Sequence, residues 1–236
     1  MVAKSPKPKV RRQPSLIEPK EAAKALAAAE ASGASPVTKL AYRLLALTVV
    51  RPAIVRDVRW EEFEGIDWTG DFIGPTLPVW RVPAGLMKLL LDRKDEEAYD
   101  HLVPLPWQTV DALRAVHRLT GRNGLVFPGA RHSHRPLSEN AIGYLYNRVG
   151  FHGRHVPHGW RASFSTTMNT RAVKARRTED IAVVEMILAH EPENKVKAAY
   201  DRAGHMERRR ELLQEGADMI TAELRPANDL LDGPRR

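Results

Sequence analysis

The chain has 236 residues, with 37 Lys and Arg against 29 Asp and Glu, 43% hydrophobic residues, no cysteine and a formal net charge of +8. This balance excludes wholesale disorder, a disulfide scaffold, thiolate zinc sites and a cysteine nucleophile. No apolar run approaches the roughly 20 residues of a membrane-spanning helix, and no apolar stretch follows the basic N-terminus to make a secretory signal. A cytoplasmic protein without membrane association is expected, and its basic charge suits a polyanionic partner.

Residues 1–20 carry Lys4, Lys7, Lys9, Arg11, Arg12 and Lys20 against Glu18, with four prolines interspersed. They read as a basic disordered tail or a linker remnant. Residues 20–32, KEAAKALAAAEAS, have high helix propensity. Residues 37–50 repeat apolar positions at helical spacing and read as a buried helix ending at Arg51-Pro52. The texture then changes. Val55 to Trp68, Val79 to Val82 and His101 to Leu105 read as three short strands of an antiparallel sheet. From Pro106 the helical period returns. Helices are predicted over 107–119, 137–148, 158–170, 178–189, 193–201 and 206–223, with Gly124, Pro128 and Gly129 marking a loop. The segment 224–236 reads as a frayed tail. The fold class is therefore α+β and mostly α, a helical domain over 21–223 with a small three-stranded antiparallel sheet inserted.

One short segment combines charge with helical geometry. In His158-Gly159-Trp160-Arg161, a spacing of three at a helix start puts the imidazole and the guanidinium on one face. Pro157 fits the approach to a helix, and such a helix start suits a phosphate. The pattern alone is common. Arg51, Lys88, His190 and Tyr200 each have an ordinary structural reading as well: Arg51 as a helix cap, Lys88 as a solvated lysine and Tyr200 as a core tyrosine. His152, His155 and His158 are spaced like zinc ligands, but Gly153 and Pro157 interrupt the helix and no thiol or carboxylate lies nearby, so no metal is expected. Residues 141–210 hold 13 Lys or Arg against 7 Asp or Glu, a net +6 of the total +8. That concentration fits a phosphate-binding face, or a solvated basic one at Arg208, Arg209 and Arg210.

Taken in order, these features resemble the tyrosine recombinases, and specifically the phage-type integrases of prophages and genomic islands. VVRPAIVRDVRWEEFE resembles the family's first arginine box, and WRVPAGLMK with HLVPL its hairpin. GLVFPGAR is similar to the following loop, HVPHGWRASFSTTMN to the second arginine box, and LAHEPENKVKAAYDRAGHMERRRELLQEGADMI to the last box and the helix after it. The resemblance spans residues 37 to 223. It implies the DNA breaking–rejoining fold and site-specific recombination without metal or nucleotide cofactor. In it Tyr200 would attack a DNA phosphodiester, leaving a 3′-phosphotyrosine and a free 5′-hydroxyl. Arg51 and Arg161 would clamp the phosphate oxygens, and Lys88 would protonate the leaving oxygen. His158 would assist proton transfer from Tyr200, whose unperturbed phenol, with a pKa of about 10, is a poor nucleophile near neutral pH. His190 would donate a hydrogen bond to the phosphate. Double-stranded DNA is the implied partner, bound by a tetramer on paired sites, with a monomer expected in the absence of DNA. In such an isolated domain, Leu212, Leu213, Met219 and Ile220 are expected to pack back on their own chain.

Three departures accompany the resemblance. Ile54 stands where the family carries an acid three positions after its first arginine. LLLDRKDEEAYD lengthens the hairpin, leaving Lys94 as an alternative to the preferred Lys88. The family's N-terminal core-binding domain has no counterpart, so the catalytic half is expected. Two other functions fit the same pattern. One is a DNA-binding relic with weakened catalysis; the other is a nicking-closing enzyme of the topoisomerase IB kind.

Overall fold

The computed structural model describes residues 13–69, 77–87, 96–189 and 205–232. Its centre is a largely apolar helix enclosed along most of its length, with the long side chains of Lys39 and Arg43 buried among its leucines. This is α2 (Pro36–Thr48), started by Pro36 at its first position and by Ser35, whose Oγ accepts the Thr38 N–H at 3.3 Å. Leu40, Leu44, Leu45 and Leu47 are all buried on it. Packed around α2 are α1 (Pro19–Ala31), α3 (Pro52–Asp57), α4 (Trp107–Thr120), α5 (Ala141–Arg148) and α8 (Met206–Thr221). Two further helices, α6 (Gly159–Lys174) and α7 (Asp180–Ile187), pack on each other and on α8. Two buried charges are matched. Arg43 of α2 donates to both carboxylate oxygens of Glu30 of α1 at 2.6 and 2.7 Å, and also to the Arg225 carbonyl at 2.9 Å. Pairing and full hydrogen bonding are what allow such charges inside a core.

The sheet is antiparallel in the order β1 (Phe63–Glu64), β2 (Val79–Val82), β3 (His101–Pro104). Trp80 pairs with Phe63 on one side and Val103 on the other, and Val82 pairs with His101. Alternation places Trp80, Val82 and Val103 in the core. The Trp80 indole N–H donates to Glu62 Oε2 at 2.8 Å. The fold is thus α+β and mostly helical, and among the described residues no helix is long and apolar enough to cross a membrane.

Three segments differ from the sequence reading. The stretch from Val55 to Trp68 is not one strand. Arg51 and Pro52 start α3 instead, a turn at Trp60–Glu62 follows, and only Phe63 and Glu64 pair with β2. Pro52 at the first helical position favours the helix over extended chain. Secondly, residues 13–18 run over α6 rather than into solvent: the Leu16 N–H donates to His155 Nδ1 at 3.1 Å, and Thr167 Oγ1 donates to the Ile17 carbonyl at 3.1 Å. Thirdly, the tail read as frayed folds back at Ala227–Asp232, where Ala227, Leu230 and Leu231 are buried and the Ala227 N–H donates to Asp111 of α4 at 3.0 Å. The predicted helix over 193–201 lies outside the described residues.

Candidate functional site

The elbow between α2 and α3 and the first turn of α6 come together here. Helix α2 closes with Val49 in a left-handed conformation (φ 49°), its N–H donating to the Leu45 carbonyl at 3.1 Å. That conformation is costly for a β-branched residue. It swings the chain so that Arg51, two residues on, becomes the N-cap of α3, half-buried. Arg161 reaches the same elbow from α6: its Nη1 donates to the Val49 carbonyl at 2.9 Å. Its Nη2 donates to the Leu188 carbonyl at 2.5 Å. Arg161 thus joins the ends of two helices, whose last carbonyls have no partner within their own helix and carry partial negative charge.

Arg161 is buried, and burial, reinforced by the like charge of Arg51, pushes its guanidinium down to about 10. Glu185 of α7 opposes that shift. Two guanidiniums held close enough to repel make a positively charged locus with an affinity for an anion. His158, the N-cap of α6, is exposed one turn before Arg161. Ile54 is 3% exposed and belongs to the main core, so the position of the expected acid is filled by apolar packing.

Of the six residues singled out in the sequence, the structure describes three. Arg51 and Arg161 meet at the elbow, and His158 shares the first turn of α6 with Arg161. Lys88, its alternative Lys94, His190 and Tyr200 lie outside the described residues. The histidine run is dispersed: His152 Nδ1 lies 2.6 Å from Asn147 Oδ1, while buried His155 accepts from Leu16. Among the described residues no group of three His, Asp or Glu is placed to hold a metal ion.

Two residues of this region are given no role in the site by the sequence. His101 on β3 has its Nε2 3.2 Å from the Ile187 carbonyl. Arg209 of α8, for which the sequence leaves a phosphate-binding face and a solvated one both open, is 3% exposed and donates to the Leu102 carbonyl. Its neighbours are also engaged: Arg208 donates to both oxygens of Asp180 at 2.7 and 2.6 Å, and Arg210 to the Pro78 carbonyl at 3.1 Å. The basic triplet is therefore an internal fastening and not a solvated face. On the same helix Leu212 and Leu213 are buried, and Met219 and Ile220 pack against the core.

Comparison with known proteins gives consistent relatives. The chain is 28% identical over 216 residues to prophage integrase IntA of Escherichia coli (strain K12), covering 92% of this chain and 46% of that protein. It is 34% identical over 184 residues to prophage integrase IntZ of the same organism, covering 78% of this chain and 40% of the relative. The integrase of Shigella phage Sf6 is 28% identical over 192 residues, covering 81% and 44%. The chain therefore spans less than half the length of each of these relatives. No family model matches it, and no solved structure matches it significantly.

Proposed function

Because the chain belongs to the phage-type integrase family, we propose that residues 21–223 form the catalytic domain of a site-specific DNA recombinase with a tyrosine nucleophile. The observation that carries this reading is the pairing of Arg51 with buried Arg161 where α2 ends and α6 begins. Two guanidiniums so placed offer a fork of donors to the non-bridging oxygens of a phosphodiester, where negative charge builds up in the transition state.

In this mechanism the Tyr200 oxygen attacks phosphorus. The bond to the 5′-oxygen breaks, a 3′-phosphotyrosine forms, and Lys88 supplies the proton for the departing 5′-hydroxyl. His158, at the exposed end of α6, assists removal of the phenol proton, and His190 donates to the phosphate. Rejoining reverses each step, since the phosphotyrosine conserves the bond energy. Double-stranded DNA is the substrate, and a tetramer on paired sites is the working assembly. The DNA breaking–rejoining fold suits the observed arrangement of a helical body around a small sheet.

A second reading has its own observation: buried Ile54 replaces the acid that would orient the site, which favours a DNA-binding relic with weakened turnover. One experiment separates the two. On a nicked suicide duplex, the wild-type chain should form a covalent adduct, and Tyr200→Phe should form none while binding DNA equally well. Equal adduct yields would remove Tyr200 from the mechanism, and no adduct from either protein would favour the relic.

A further inference from the structure

The end of α7 is held from two sides. Its terminal carbonyls need partners from outside the helix. Leu188 receives Arg161 Nη2 at 2.5 Å, and Ile187 lies 3.2 Å from His101 Nε2. Directly after them Ala189 turns left-handed (φ 48°), and His190 follows. We propose that His101 is a positioning residue: from β3 it donates its Nε2–H to the Ile187 carbonyl and, together with Arg161, fixes the point at which the chain leaves α7 toward His190. The consequence for catalysis rests on the recombinase reading above.

The choice of a neutral donor has a physical reason. His101 feels charge of one sign, from Arg209 of α8, Arg161 of α6 and Arg51 at the α2–α3 elbow, while Glu185 of α7 acts with opposite sign on Arg161. Burial first, and then these guanidiniums, push its imidazole down to about 3. The ring is therefore neutral at any working pH and holds one N–H, which goes to Ile187 when the proton sits on Nε2. A lysine or arginine in its place would make the same bond but add a charge to a site that must both bind and release an anion.

The test compares the full chain with His101→Gln and His101→Leu. Gln keeps an N–H donor at similar reach; Leu keeps bulk and loses the donor. Two measurements are made on each: amide hydrogen exchange over residues 183–189, and single-turnover adduct formation at saturating nicked duplex. In His101→Leu, exchange at the end of α7 should rise at least tenfold with α2 unchanged. Adduct formation should slow at least tenfold, with Kd for DNA within twofold of wild type. His101→Gln should restore both to within about threefold. Wild-type exchange at the end of α7 in His101→Leu would overturn the proposal, as would an equal rise in α2, which would mark a merely structural histidine. If the wild-type chain itself forms no adduct, the recombinase reading fails, while the exchange comparison still decides whether His101 holds α7.

Discussion

Arg161 is a joint between helices as well as a candidate ligand for phosphate, and a substitution there acts on both. Removing the guanidinium leaves the carbonyls of Val49 and Leu188 buried without their donor. Each unsatisfied group costs about 1–3 kcal/mol. Arg161→Ala is therefore expected to lower the stability of the chain by about 2–6 kcal/mol, read from the urea midpoint at constant slope. Arg161→Lys should lose less stability, because an ammonium still satisfies one carbonyl. It should nevertheless lose at least a hundredfold in adduct formation, because it cannot present a planar fork to phosphate. An unchanged midpoint in Arg161→Ala would show that the two bonds contribute nothing net. The double role also explains what the sequence could reveal of this residue. Its spacing from His158 is local and readable, whereas Val49 and Leu188 lie 112 and 27 positions away. His101 is the extreme case, a single histidine in a strand whose partner is 86 positions distant. No periodicity or motif encodes such a contact.

The junction between the N-terminal segment and α6 shows how one element depends on the protonation of another. His155 accepts the Leu16 N–H through Nδ1, which is possible only while that nitrogen is unprotonated. Burial pushes this imidazole down to about 4. In the unfolded chain it titrates near 6.5. With the folded value depressed, its contribution to stability is fully present above pH 6.5 and is lost as pH falls toward 4. At pH 5, about 1.5 units below the unfolded value, the loss is about 2 kcal/mol. Thermal unfolding at pH 7.5 and 5.0 should show this fall, and His155→Gln, which keeps an acceptor and cannot titrate here, should show a smaller one. Equal falls in the two proteins would remove His155 as the source. At this scale the helices were readable because their apolar residues recur at 3.6-residue spacing, which is a local property. The region from Val55 to Trp68 was not, because its mixed apolar residues serve α3, a turn and a two-residue strand in succession. The fold-back at Ala227–Asp232 was not readable either: its short apolar group is anchored by Asp111, 116 positions away.

At the scale of the whole molecule, net charge is a poorer guide than its placement. Residues 141–210 carry most of the excess positive charge, yet Arg161, Arg208, Arg209 and Arg210 all donate within the protein. Arg208 in particular is neutralised by Asp180, with Glu211 and Glu215 beside it. On the recombinase reading, the charge left to meet DNA is smaller than the count implies. Binding by this chain should be weak, with Kd in the nonspecific range of roughly 10⁻⁴ to 10⁻⁶ M at physiological salt. It should also discriminate little between sequences, because phosphate contacts carry orientation and no base information. Each phosphate contact releases counterions, so log K against log salt should fall linearly with a slope that counts contacts. Arg208→Ala should leave that slope unchanged, since its charge is already matched inside the protein. Titrating a fluorescent duplex at 50 and 200 mM salt measures both quantities. A shallower slope in Arg208→Ala would place this arginine on the DNA. Tight, salt-insensitive binding to one sequence would show that this chain reads bases by itself.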